Sequence, residues 1–282
     1  MSRHNLLGHC GRYTAPGIRW PQLSVSLCVV TSSRFWGWVW LVGCLCGGKA
    51  LAQTAPPERV TDRNHNAWLT YFSDARLSQR WGLHTEFQYR RTNGLQDPQQ
   101  YLYRIGGNYH ATEQLLVSGG YAYLLSLPYG DFPDAGRSHE RRVYVRAELE
   151  NTLGRLTLAH RYTQEQRWLR DPGEAAYAFQ NRSRYRLQLQ FPLTGPKLEA
   201  GTLYALASDE IFISYGRNVG ANVFNQNRLY GGLGYQITEA LGVETSYLRQ
   251  TVQHDDGVVF EQNHTLQISL NFNPDFRPAT ER

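Results

Sequence analysis

The chain has 282 residues, 41% hydrophobic and 13% aromatic, with 29 Lys+Arg against 24 Asp+Glu. Five of the basic residues (Arg3, Arg12, Arg19, Arg34 and Lys49) precede residue 53, where no acid occurs, so the remaining 29 − 5 = 24 balance the 24 acids. A neutral body excludes nucleic-acid binding through bulk positive charge. All four cysteines (Cys10, Cys28, Cys44 and Cys46) fall in the same leader, which excludes disulfides and thiol chemistry beyond it.

In chain order the leader comes first. Arg34 precedes an apolar run from Phe35 to about Gly47, and Ala50-Leu51-Ala52 matches the A-x-A pattern of an export signal. Cleavage is expected between Ala52 and Gln53, so 1–52 is read as a signal peptide. The apolar run is too short to span a bilayer as a helix. Leu41-Val42-Gly43-Cys44 resembles a lipobox that would acylate Cys44, but a cut there would leave only a very short apolar run. Residues 53–65 are polar and contain prolines, and are read as a periplasmic spacer.

The body alternates from there on. In "RWGLHTEFQYRR", Trp81, Leu83, Thr85, Phe87 and Tyr89 share one face of a strand, and Gly82, His84, Glu86, Gln88 and Arg90 share the other. The same pattern predicts strands at about 66–77, 81–91, 101–111, 115–126, 140–151, 155–168, 181–193, 198–213, 226–237, 241–252 and 261–273. Most reach the 9–11 residues that a tilted strand needs to cross a membrane. Their connections alternate in length. Short ones fall at 78–80, 112–114, 152–154, 194–197 and 238–240. Long polar ones are "TNGLQDPQQ", "LPYGDFPDAGRSH", "DPGEAAYAF", "YGRNVGANVF" and "HDDGVV".

Alternation also occurs in soluble antiparallel sheets. What separates this chain is that its polar rows are dense in Arg and Glu, strand after strand, behind an export signal. The expected inward charges are Glu86, Arg90, Arg104, Arg146, Glu148, Arg161, Glu165, Arg184, Arg186, Arg228 and Glu244, with Arg142, Glu150, Arg167, Arg182 and Glu199 beside them. Trp81, Tyr101, Tyr103, Tyr121, Tyr123, Trp168, Tyr185, Tyr235 and Tyr247 suit interfacial aromatic girdles. The predicted fold is an all-β, antiparallel, up-and-down transmembrane β-barrel over 66–273. It has about ten to twelve strands, short periplasmic turns, longer extracellular loops and a C-terminal tail at 274–282. Bacterial single-chain barrels have even strand counts; starting at 81–91 gives ten strands with both termini periplasmic.

"FNQNRLYGGLGYQIT", "GVETSYLRQ" and "NHTLQISLNFN", with "AWLTYFSDARLSQRWGLHTEFQYRR" near the start, resemble the domain-of-unknown-function 2490 family of outer-membrane β-barrels. The resemblance covers most of 66–273 and implies an exported, membrane-embedded barrel. It implies no specific activity. The chain departs from the usual aromatic C-terminus by running past Phe272 into "NPDFRPATER", which leaves Phe272 as an internal assembly signal.

No catalytic, cofactor or metal set is predicted. His84 and His110 fall on polar faces, with Glu86, Glu165, Glu199, Asp209, Glu210 and Glu244 as carboxylates, but no G-x-S-x-G or H-E-x-x-H accompanies them. The glycine pairs in "RIGGNYH", "VSGGYAY" and "LYGGLGY" sit mid-strand, where they permit close approach at a barrel wall rather than cradle a phosphate. The expected role is structural or small-solute transport in the outer membrane of a Gram-negative cell, with a charged, largely plugged lumen. The expected partners are outer-membrane lipid and the barrel-assembly machinery, with the chain monomeric and no nucleic acid or cofactor bound. The alternatives are a barrel enzyme acting on lipid or surface substrates, and a soluble exported β-protein.

Overall fold

The computed structural model describes residues 58–278; the leader and the Ala52–Gln53 junction lie outside the described residues. Eleven strands form one closed barrel: β1 (Val60–Arg76), β2 (Trp81–Thr92), β3 (Asp97–His110), β4 (Leu115–Ser126), β5 (Ser138–Leu153), β6 (Leu156–Arg170), β7 (Ala178–Pro192), β8 (Leu203–Tyr215), β9 (Phe224–Gln236), β10 (Leu241–Gln253) and β11 (Val259–Phe272). Each strand overlaps one predicted from the alternation. Neighbours pair antiparallel in chain order, as a meander does, except at the closing seam.

At that seam β1 and β11 run parallel, in register from Val60↔Val259 to Phe72↔Asn271. An odd strand count requires this, and it corrects the expectation of an even barrel with both termini at one end. β1 starts at the long-loop end, and β11 finishes at the short-turn end. β1 also begins inside the segment read as a spacer. Asp62, Asn64 and Asn66 face inward and Arg63 and His65 outward, so both faces are polar and no apolar period marks the strand. Backbone pairing to β11 orders it instead.

Two connections differ from expectation. The β2–β3 connection shrinks to a 3-10 turn at Asn93–Leu95 with a register shift at Arg90/Arg91. The β7–β8 connection instead lengthens, because β8 starts at Leu203. Gly195 (φ 78°) and Gly201 (φ 85°) break the strand there in a conformation that disfavours other residues. Glu199 therefore sits exposed in a turn rather than on the inner wall.

The outer wall is apolar over the half nearer the short turns, with Leu69, Leu83, Ile105, Val145, Leu233, Leu266, Ile268 and Leu270 all exposed. Polar outward residues gather in the half nearer the long loops, among them Arg63, His65, Arg141, Gln164, Ser183, Asn227, Arg249 and His264. Asp209, in the middle of β8, also faces outward, and only its neighbour Glu210 is inside. Asn227 Nδ2 donates to Asp209 Oδ1 at 2.6 Å, and Ser183 Oγ donates to Gln164 Oε1 at 2.7 Å, so these polar groups satisfy one another. Aromatics mark both ends: Trp81 packs on Tyr109 near the short turns, and Tyr89 on Tyr101 and Trp168 on Phe179 near the loops. Tyr103, Tyr121, Tyr185 and Tyr247 lie mid-strand instead of in a girdle.

The mid-strand glycines make room inside the wall. Gly106 faces Gly120 across β3–β4, and a Cβ on Gly106 would collide with the Tyr144 hydroxyl. Tyr144, on β5, can lie flat against that wall and is 2% exposed. Tyr204 is seated in the same way over Gly234.

Candidate functional site

Inward residues of successive strands form rungs around the lumen. One rung runs Glu148–Arg161–Arg186–Glu210–Arg228 from β5 to β9. Another runs Phe72–Glu86–Arg104–Ala122–Arg142–Arg167 from β1 to β6. The alternation of the sequence sends these long side chains inward, and neighbouring strands bring opposite charges within reach.

The centre of the lumen is an ion-pair septum. Glu165, fully buried, accepts from Arg182 at 2.6 Å and from Arg184 at 2.7 Å, and Arg104 lies 3.7 Å away. Arg104 also donates to Glu86 at 2.8 Å, and Arg184 donates to Glu210 at 2.7 Å. Glu140 takes Arg142 and Arg167, each at 2.5 Å. Aromatic rings fill between the guanidinium groups. Arg90 sits 4.0 Å from the Trp68 ring centre, and Arg184 and Arg228 sit 4.5 and 4.9 Å from that of Phe212. Such faces attract cations.

The septum divides the lumen into an outer chamber of about 450 Å³ at the long-loop end and an inner one of about 360 Å³ at the short-turn end. Trp68, Glu86, Gln88, Arg104, Arg184 and Arg228 line both. The 127–137 loop folds over the outer chamber. Tyr129 donates to Glu261 at 2.7 Å on the far wall, while Gly130 (φ 77°) packs against Asp62 and Asn64. Burial and the neighbouring Glu261 carboxylate push the Tyr129 hydroxyl well above its ordinary pKa. Asp134 and Asp255, from separate loops, are both raised by burial and by repulsion from Asp171, so this mouth is an acidic collar. His254 lies 2.8 Å from Glu261, and that hydrogen bond raises its pKa.

The inner chamber differs. His84 is bonded to Asp74 at 2.7 Å, with Nε2 facing Glu86 at 3.6 Å. Glu244 accepts from Tyr204 at 2.9 Å and from Tyr230 at 3.2 Å. Arg161 pairs with Glu148, and Arg186 stands 3.9 Å from the same carboxylate.

The expected inward charges thus occupy distinct positions. Glu86, Arg104, Glu165, Arg184 and Arg228 belong to the septum. Arg146, Glu148, Arg161, Arg186 and Glu244 line the inner chamber, and Arg90 the outer one. Sequence reasoning missed Glu140, which shares the face of Arg142 two residues on and was findable from parity. It also missed Trp68, Phe212 and Tyr129. A loop tyrosine reaching across the mouth leaves no periodic signal. His110 ends β3 half-exposed and lines neither chamber.

Comparison with curated proteins and with solved structures gave no match. A family model described as "Protein of unknown function (DUF2490)" matches residues 65–261. That span runs from the first strand into the last and takes in the whole septum; the chain belongs to this family.

Proposed function

We propose that the chain is an outer-membrane barrel whose charged lumen is held shut by its own side chains, with a structural or small-solute role and no open pore. The observation that carries this reading is the septum around Glu165. Barrels of about eight strands are filled by their side chains and those of 16–18 leave an aqueous channel. Eleven falls between, so the side chains decide. Here they are long, of both signs, and joined by bidentate arginine pairs, whereas a pore built for flux favours one dominant sign of charge.

The belt of exposed Leu, Ile and Val, bounded by aromatics at both ends, supports lipid contact, and barrel closure satisfies the backbone as a bilayer requires. In this reading the partners are outer-membrane lipid and the barrel-assembly machinery, the latter engaging the Phe272 end of β11. The chain acts as a monomer, exported by its leader, and carries out no catalytic step. The test is reconstitution into planar bilayers after heat-modifiable gel mobility has shown an intact barrel in the membrane fraction. The expected result is small or no conductance. Large, steady single-channel currents would overturn the closed lumen, and recovery in the soluble periplasmic fraction would overturn the membrane barrel.

A further inference from the structure

We infer that the inner chamber is a binding site for a small solute bearing a phosphate group, admitted from the short-turn end. The reasoning starts from which guanidinium groups lack a carboxylate. On the rung Arg186–Glu210–Arg228, Glu210 lies between two arginines in register, yet its carboxylate turns to Arg184. Arg228 has no ion pair among the described residues, and its buried Nε has no protein partner. Arg186 reaches only to 3.9 Å from Glu148, which Arg161 already holds, and its Nε is also without a partner.

Arg146 is the clearest case. It is 5% exposed, has no ion pair among the described residues, and leaves both Nε and Nη2 without a protein partner on the chamber wall. A buried, unpaired cation with unmet donors is expensive, because each donor has left water without replacement. Arg146, buried and unpaired, together with the half-buried Arg186 and Arg228 and their unmet Nε donors, gives one cavity of about 360 Å³ three guanidinium groups. These match an oxyanion of charge −2, which arginine forks bind bidentately. The same chamber is also lined by Gln188, beside Arg186 on β7, by Gln236 at the end of β9 and by Gln267 on β11, whose amides suit a hydroxylated body on the phosphate. Entry from the loop end is opposed by the acidic collar and by the septum.

This inference rests on the barrel reading above but not on whether the lumen conducts. The experiment is calorimetric titration of the refolded full chain in detergent and chloride buffer, with inorganic phosphate and with glycerol 3-phosphate. Heat-modifiable mobility is checked first, so loss of the barrel is distinguished from loss of the site. One saturable site is expected, at least tenfold weaker in R146Q/R186Q, retained in Arg186→Lys, and unchanged in Arg90→Gln, which lies in the outer chamber. Absence of saturable binding to the intact wild-type barrel would overturn the inference whatever the variants do. Equal weakening by Arg90→Gln, or equal competition by added chloride, would also overturn it.

Discussion

Gln267 and Ile268 are neighbours in the chain and meet different surroundings. Gln267 is buried on the inner chamber wall, where its amide donates to Ser269 at 2.9 Å. Ile268 is 42% exposed on the outer wall, between Leu69 of β1 and Thr245 of β10. If the outer wall meets lipid, an arginine at 268 costs about 2–4 kcal/mol near the midplane, while an arginine at 267 enters a chamber already lined with charge. Ile268→Arg is therefore expected to lower folding stability in lipid vesicles by that amount, and Gln267→Arg by less than about 1 kcal/mol. Equal penalties on the two faces would mean that no lipid face exists. Leu187 is a poorer choice for the same test, because it stands opposite Asp209, which would partner an introduced arginine. Parity along a strand told Gln267 from Ile268 in the sequence. It could not place Asp209, which breaks the pattern it would have had to follow.

At the scale of elements, the strands were legible and the loops were not. Period-two alternation marked β2 to β7 and β9 to β11 because each has one apolar row. It failed over 60–65 because both rows there are polar, and at 198–202 because apolar residues continue through a glycine-broken turn. The loop network shows the same limit. Tyr129 in the 127–137 loop and His254 in the 254–258 loop both bond Glu261, so one carboxylate at the head of β11 fastens two loops. The His254 pKa is raised in the folded protein, first by that hydrogen bond. A group raised on folding contributes stability that is full below its unfolded value of about 6.5 and is lost as pH climbs through the folded value. The 254–258 loop is thus expected to be best fastened near pH 6 and to loosen above neutrality. Hydrogen exchange of that loop, corrected for intrinsic rate, should show protection falling as the pH rises from about 6 through neutrality. His254→Gln should flatten the profile; an unchanged slope in that variant would remove the histidine from the mechanism.

At the scale of the whole molecule, the parallel seam is the least expected feature, and its consequence is topological. With eleven strands the chain must enter the barrel at one end and leave it at the other. Arg76 of β1 meets Asp275 beyond β11, and the Phe276 amide donates to the Arg76 carbonyl at 2.8 Å, so the tail stays at the short-turn end. Glu58, just before β1, lies at the end that carries the 127–137 loop. Beyond residue 52 the chain has no cysteine, so single cysteines introduced into a chain that starts at Gln53 behind a cysteine-free export signal report sidedness without background. Glu58→Cys and Asp131→Cys are expected to react together with a membrane-impermeant maleimide on intact cells, and Pro278→Cys only after the membrane is breached. If Glu58→Cys instead behaves like Pro278→Cys, β1 does not close the barrel in the cell. The wall would then be the even, ten-strand meander from β2 to β11. The inward residues of β1, Trp68 among them, would leave the lumen, and Arg90 would lose the ring it stacks on.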